Sequence, residues 1–157
     1  MKKLYFLIII ILAFSLVVSC GTDSNDVKRV GDYDFGFLTI PTEWVDFRDI
    51  GMTESGIPHI GFRSEAGSII NLINHVEIED VDIAQFLQNM GAEYEIVKID
   101  GNDAYRTFVY FEGHYIYLYA WYFLDAESNL RLILAEGSTD EIPEVKEIVE
   151  NTFSLSR

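Results

Sequence analysis

The sequence predicts an α+β domain, in which a mainly antiparallel sheet of about six to seven strands is covered by two helices. Two observations support this fold class. Between Tyr33 and Ala135 most segments have the apolar patterns of strands and are separated by hairpin-length loops. Two further segments, which follow Asp82 and Ser138, place apolar residues at helical spacing instead. Since short loops join antiparallel neighbours and an amphipathic helix needs an apolar surface to cover, these elements form one layered domain.

Seven strands follow from this pattern. They cover residues 33–41, 57–63, 68–76, 94–99, 104–111, 114–124 and 130–135. Pro41 ends the first strand, because proline cannot donate to a strand ladder. The segment 64–67 is predicted as a hairpin loop and the segment 100–103 as a tight turn. The strand at 68–76 is nearly continuous in apolar residues, which predicts a central position in the sheet.

The first helix is predicted between residues 80 and 91. Asp82 and Gln85 form a pair like a capping box, with Asp80 as an alternative cap one turn earlier, and Gly91 ends the helix. Its apolar stripe consists of Ile83, Phe86, Leu87 and Met90.

The second helix is predicted at the C-terminal end of the chain. Ser138 and Glu141 fit a capping box, Pro143 is tolerated in the first turns, and Lys146 is placed to pair with Glu150. Its apolar face consists of Ile142, Val145, Ile148, Val149 and Phe153.

The N-terminal segment, residues 1–19, has the features of a cleaved signal peptide. Two lysines precede Leu4–Val18, which is apolar except for a tyrosine and a serine. Fifteen helical residues span about 22 Å, which is less than the roughly 30 Å hydrocarbon core of a bilayer. The end of the segment, Leu16-Val17-Val18-Ser19-Cys20-Gly21, resembles the lipobox of bacterial lipoproteins.

Cys20 is the only cysteine of the chain, so no disulfide can form within it. The lipobox resemblance implies that Cys20 becomes the mature N-terminus and carries a diacylglycerol thioether, with an amide-linked chain such as palmitate as an optional third. Two or more acyl chains anchor a protein stably. The expected location is the extracytoplasmic face of the cell membrane, and the partner of Cys20 is the membrane itself. An uncleaved anchor with an incidental cysteine is the alternative.

Composition divides the rest of the chain into a polar segment and one domain. Residues 20–31 are predicted to form the lipidated N-terminus and a flexible tether, spanning roughly 17–20 Å as a coil. Residues 32–157 are enough for a single core. Removal of residues 1–19 deletes two lysines and no acidic residue, so the net charge of −15 becomes −17. Such a surface repels polyanions, which excludes nucleic acid as a partner.

Three segments resemble the PsbP-like family. They are the strand end Ile40-Pro-Thr-Glu-Trp44, the turn at 99–105 (IDGNDAY) and the closing helix at 145–155 (VKEIVENTFSL). The family includes an extrinsic photosystem subunit, a Ran-binding nuclear-import factor and many small bacterial lipoproteins of unknown role. The resemblance covers most of residues 33–155 and implies the architecture, together with a scaffold that mostly binds proteins. It implies no catalytic residue.

The strand at 114–124 contains the densest cluster of aromatic residues. At a period of two, Tyr115, Tyr117, Tyr119 and Trp121 share one face with Phe123. An exposed row would be a platform for a sugar ring or a protein partner, because tyrosine and tryptophan combine an apolar face with a polar tip. The alternative is that a helix buries the row as part of the core.

The sequence indicates neither a metal nor a cofactor. His59, His75 and His114 are too far apart in the sequence for a metal motif. The acidic stretch 77–82 lacks the spacing and the turn glycine of a known calcium loop, so helix capping and a solvated loop explain it better.

Catalytic motifs are also not found in the sequence, which has no Gly-x-Ser-x-Gly elbow, no His-Glu-x-x-His and no phosphate-binding glycine loop. The favoured hypothesis is therefore a non-enzymatic, lipid-anchored domain that binds a protein or envelope component. The second hypothesis is a lipoprotein that binds a small ligand or glycan on the aromatic face of strand 114–124. A hydrolase with an unrecognised site is a minor third.

Overall fold

The computed structural model of the protein describes residues 26–47, 58–75 and 81–157. In chain order, the elements are β1 (Val27–Asp32), β2 (Gly36–Pro41), β3 (Val45–Asp46), β4 (His59–Arg63), β5 (Ile69–His75), α1 (Ile83–Asn89), β6 (Tyr94–Ile99), β7 (Asn102–Phe111), β8 (Ile116–Leu124), β9 (Leu130–Ser138) and α2 (Ile142–Thr152). Seven strands form an antiparallel sheet in the order β3-β4-β5-β9-β8-β7-β6, and β1 and β2 form a separate hairpin. The predicted α+β fold class is confirmed. Among the described residues, no helix is long and apolar enough to cross a membrane.

The sequence pattern does not indicate the first strand. Residues 27–31 are predicted as tether, but β1 pairs with β2 along its whole length, and the turn at 33–35 lies where strand is predicted. Polar contacts hold β1, which is why its pattern shows no apolar period. Lys28 Nζ donates to the carbonyl of Thr42 at 2.9 Å, and Arg29 Nη1 donates to the carbonyl of Thr152 at 2.7 Å. The polar segment therefore ends near residue 26 rather than at 31.

The ends of β7, β8 and β9 differ from the predicted ones, because strand pairing decides where these strands begin and end. The turn between β6 and β7 contains only Asp100 and Gly101, both with positive φ (49° and 80°), as in a type I′ hairpin. At its other end β7 is followed by a turn that reaches Tyr115, so β8 begins later than predicted. β9 extends to Ser138 rather than Ala135, because β5 and β8 both pair with it.

Helix α2 and the β1–β2 hairpin cover one face of the sheet and enclose the main core. The predicted apolar face of α2 is confirmed, since each of its five members is buried. The predicted capping box is wrong: Glu141 is the N-cap residue without a side-chain cap bond. Its Oε2 instead accepts from Ser68 Oγ at 2.8 Å and from Ser138 Oγ at 3.1 Å. These bonds connect the start of α2 to the start of β5.

Helix α1 covers one end of the opposite face. Asp82 caps it as predicted, accepting from the backbone N–H of Gln85 at 2.9 Å. The predicted stripe is only half correct, because Phe86 and Met90 are exposed. The helix is seven residues long and covers a small cluster around Leu130, too narrow to bury a wider stripe. Its buried members are Ile83 and Leu87.

Candidate functional site

The predicted aromatic row differs in burial along its length. Trp121 and Phe123 are fully buried on the face that α2 covers, whereas Tyr117 and Tyr119 are half-buried at the edge of the same core. Tyr115 lies outside β8, has a φ of 54° in the preceding turn and is 69% exposed. One end of the row is therefore core, and the other end is accessible to a ligand.

Trp121 is held by contacts on two sides. Its indole Nε1–H donates to Glu150 Oε1 of α2 at 3.1 Å. Its ring stacks on Tyr119, with centroids 5.7 Å apart and an interplanar angle of 25°. Because the buried indole is fixed in this way, it provides a rigid support for the ring of Tyr119.

Arg106 of β7 is the charged centre of the same region. Its guanidinium forms ion pairs with Glu150 of α2 and Glu95 of β6, and its side chain is 11% exposed. It also lies over the ring of Tyr119, 5.9 Å from the centroid. Burial lowers the pKa of Arg106, but the hydrogen bonds and charges of Glu150 and Glu95 outweigh it and leave the pKa raised. The charge is thus permanent, and it joins the helix to the edge of the sheet.

β7 contributes a second aromatic row that faces the first. Phe108 lies 5.9 Å from Tyr119, centroid to centroid. Tyr110 stacks on Tyr117 at 4.6 Å with an interplanar angle of 29°. Phe108 and Tyr110 are themselves exposed. These four side chains form one continuous surface, which we call the aromatic surface.

A cleft of about 260 Å³ opens where the aromatic surface meets α2. Phe108 and Tyr119 supply apolar ring faces, and Arg106 and Lys146 supply positive charge. Glu93, Tyr94 and Glu95 complete the lining. Drug-sized ligands occupy pockets of roughly 300–1,000 Å³. This cleft is smaller and suits a single ring or one anchoring side chain.

A second depression, of about 210 Å³, lies at the start of α2, and four of its nine lining residues are glutamates. Ser68 is buried there, and its hydroxyl is bonded to Glu141. A serine nucleophile needs an adjacent base that can take its proton and an orienting partner for that base. Ser68 is instead packed closely against Gly137, where a Cβ in place of the glycine hydrogen would lie 2.7 Å from Ser68 Oγ. Its position indicates a structural role.

The two histidines whose side chains the structure describes, His59 and His114, do not come together. His59 begins β4 and pairs with Ile73, whereas His114 lies in the turn at the opposite end of the sheet. No group of three or more potential metal-ligating side chains occurs within residues 26–47, 58–75 and 81–157. Cys20, the side chain of His75 and most of the acidic stretch 77–82 lie outside the described residues.

Sequence reasoning missed Arg106, Glu150 and the aromatic residues of β7. Alternation along residues 104–110 places Ala104, Arg106, Phe108 and Tyr110 on one face, so a shared face could have been recognised. Glu150 was predicted to pair with Lys146 on the surface of the helix, and its contacts with Arg106 and Trp121 were not predicted. No sequence signal identifies which strands meet at this face.

Comparison with known proteins gives a likeness among solved structures. No family model matches the sequence, and no curated protein matches it. Among solved structures, the chain is similar to the solution structure of cyanobacterial PsbP (CyanoP) from Synechocystis sp. PCC 6803, with 16% sequence identity and a TM-score of 0.56. The match covers 88% of this chain and 98% of that one. At this identity the likeness shows the fold: the described domain has the PsbP-like architecture.

Proposed function

We propose that the protein is a lipoprotein, anchored through Cys20 at the extracytoplasmic face of the membrane, whose folded domain binds a protein or envelope component without catalysis. The lipobox-like segment that ends at Cys20 carries the proposal. The described fold begins at residue 26, so the domain is held close to its anchor. The PsbP-like fold supports a binding role by analogy.

The proposed binding site is the cleft between α2 and the aromatic surface. Tyrosine and arginine are enriched where interfaces gain most of their energy, and here Tyr119 and Arg106 lie next to each other. Trp121 and Glu150 fix both side chains from below, so little conformational entropy is lost on binding. The volume of the cleft favours one anchoring side chain of a protein partner.

Cys20→Ala tests the anchor. In a bacterial host we expect the wild-type protein to incorporate radiolabelled palmitate and to sediment with membranes, and the variant to lose both properties. The melting temperature of the domain should not change, since every element of the described domain lies within residues 26–157. Ser24→Ala, in the same polar segment, is the matched control and should behave as wild type. A variant that still carries palmitate, or one that fails to fold, would refute the proposed role of Cys20.

A small ligand or glycan in the same cleft is the second candidate. The exposed ring of Phe108 and the half-buried ring of Tyr119 beside it favour it, because flat apolar faces stack on sugar and aromatic rings. A panel of saccharides and aromatic ligands tests this candidate. Binding should change the fluorescence emission of Trp121, because Tyr119 stacks on its ring. Tyr119→Ala should weaken binding at least about tenfold, equivalent to roughly 1.4 kcal/mol. Tyr33→Ala, at an exposed tyrosine of the β1–β2 turn, should leave it unchanged. Equal affinities for the two variants would exclude this site.

A further inference from the structure

The tip of the β7–β8 hairpin is the most apolar exposed part of the described structure. The pairing of β6 with β7 ends at Tyr94 and Thr107. Beyond that point the hairpin extends through four further β7 residues and a turn at 112–115. Its exposed apolar side chains are Phe108, Val109, Tyr110, Phe111, Tyr115 and Ile116.

These side chains are exposed on both faces of the hairpin. Phe108 and Tyr110 belong to the face of α2, whereas Val109 and Phe111 point to the other side, as alternation requires. A peptide or a helix laid on the hairpin would cover one face and leave the other in water. The interfacial layer of a bilayer surrounds an inserted tip and covers both faces, and tyrosine is among the residues enriched in that layer.

The tip lies at the same end of the sheet as the start of the described chain. Ile116 pairs with Ser138, and the end of β9 also lies beside the start of β5. Trp44 lines the depression at this end together with Ser68. Asp26 is held nearby, because its carbonyl accepts from the backbone N–H of Thr42 at 2.9 Å. Asp26 and the tip of the hairpin therefore lie at the same end of the sheet.

The distances allow the lipid on Cys20 and the tip of the β7–β8 hairpin to contact the same membrane at the same time. Six residues connect Cys20 to Asp26, and six extended residues span at most about 20 Å. The tip is displaced sideways from β5 by about 15 Å, because three strand spacings separate β5 from β7 in the order β5-β9-β8-β7. A lipid on Cys20 would thus hold this end of the sheet at the membrane surface.

We infer that the tip of the β7–β8 hairpin inserts into the interfacial layer of the bilayer in which Cys20 is anchored. This inference rests on the proposed anchoring of Cys20. The anchored chain that begins at Cys20 has a net charge of −17, since removal of residues 1–19 takes two lysines from a total of −15. Glu112 lies in the tip, and Glu136 and Asp140 lie at the same end, so this end of the domain is repelled by anionic headgroups. The lipid surface that fits is therefore a neutral or zwitterionic one. Contact at two points also fixes the orientation of the domain and leaves the cleft beside α2 close to the membrane plane.

The test uses the full lipidated protein reconstituted in phosphatidylcholine vesicles. Because Cys20 is the only cysteine and is blocked by lipid, Tyr115→Cys introduces a single free thiol for the fluorophore NBD. Ala126→Cys, exposed in the β8–β9 loop at the opposite end of the sheet, is the matched control. We expect a blue shift and quenching by doxyl lipids at position 115 and neither at position 126. Anionic phosphatidylglycerol should reduce the shift at low salt.

Each outcome bears on a different claim. Protein that floats with the vesicles but gives the same spectrum at both positions would overturn the insertion of the tip and leave the anchor intact. Protein that does not float would overturn the anchor and the insertion together. A blue shift at position 115 that rises with protein density on the vesicles and is not quenched by doxyl lipids would identify a second copy of the chain as the occupant, and would also overturn the inference.

Discussion

Asp125→Ala is expected to lower the free energy of unfolding by about 3 kcal/mol, because it removes one partner of a buried ion pair. Asp125 Oδ1 accepts from the backbone N–H groups of Glu127 and Asn129, both at 2.9 Å. Its Oδ2 accepts from Arg131 Nε, also at 2.9 Å. The carboxylate side chain is 6% exposed and the guanidinium 12%. The substitution leaves the loop between β8 and β9 without its organising acceptor and Arg131 without its counter-ion.

The stability that the charge of Asp125 contributes should depend on pH, and Asp125→Asn, which removes the charge and keeps the shape of the side chain, tests this. Burial raises the pKa of Asp125, but the hydrogen bonds from Asn129 and Arg131 outweigh it and leave the pKa below its ordinary value. A carboxylate with a lowered pKa contributes stability that is fully present above its unfolded pKa, about 3.9, and is lost as pH falls through the folded pKa. The difference between wild type and Asp125→Asn should therefore shrink as pH falls from about 5 to about 2.

Urea unfolding of wild type and variants at several pH values measures both effects. Asp103→Ala is the matched control, because Asp103 forms an exposed pair with Lys98 at 2.7 Å. Exposed pairs contribute about 0–1 kcal/mol, so this variant should unfold close to wild type. A difference between wild type and Asp125→Asn that stays constant down to pH 2 would show that the charge of Asp125 is not what stabilises the loop.

Local patterns predicted those elements whose ends are set by their own residues. The bounds of β6 agree with the prediction, because a glycine-containing turn fixes its C-terminal end. The apolar face of α2 was also predicted correctly, because helical spacing places its apolar residues on a single side. The strand β1 was missed because two of its side chains, Lys28 and Arg29, are held by hydrogen bonds to distant carbonyls, which leave no apolar alternation in the sequence.

The order of the strands and the shape of the site depend on contacts between distant segments. β9 lies between β5 and β8, an arrangement that alternation alone does not indicate, because any apolar strand can pair with another. Period two correctly placed Tyr117, Tyr119 and Trp121 on one face, but the point at which α2 stops covering them depends on that topology. Arg106 was missed for the same reason, since both of its partners come from other elements.

A substitution series along the aromatic row should reveal where the core ends. Trp121→Ala is expected to destabilise the domain by about 4 kcal/mol, because the indole is fully buried and its loss creates a cavity in the main core. Trp121→Phe keeps an aromatic ring and most of the volume but loses the hydrogen bond to Glu150, so it should cost less, about 1–2 kcal/mol. Thermal or urea unfolding of each variant measures these values.

Substitutions at the accessible end of the row, at Tyr119 and Tyr115, should cost less stability than Trp121→Ala. Tyr119→Ala, at a half-buried ring, is expected to cost about 1–2 kcal/mol, and Tyr115→Ala to lie within about 0.5 kcal/mol of wild type. A loss at Tyr115 as large as the loss at Trp121 would show that the hairpin tip is packed rather than accessible. If the gradient holds, Tyr115 and Tyr119 can be changed while the domain stays folded. Any loss of membrane contact or ligand binding in those variants can then be assigned to the surface rather than to unfolding.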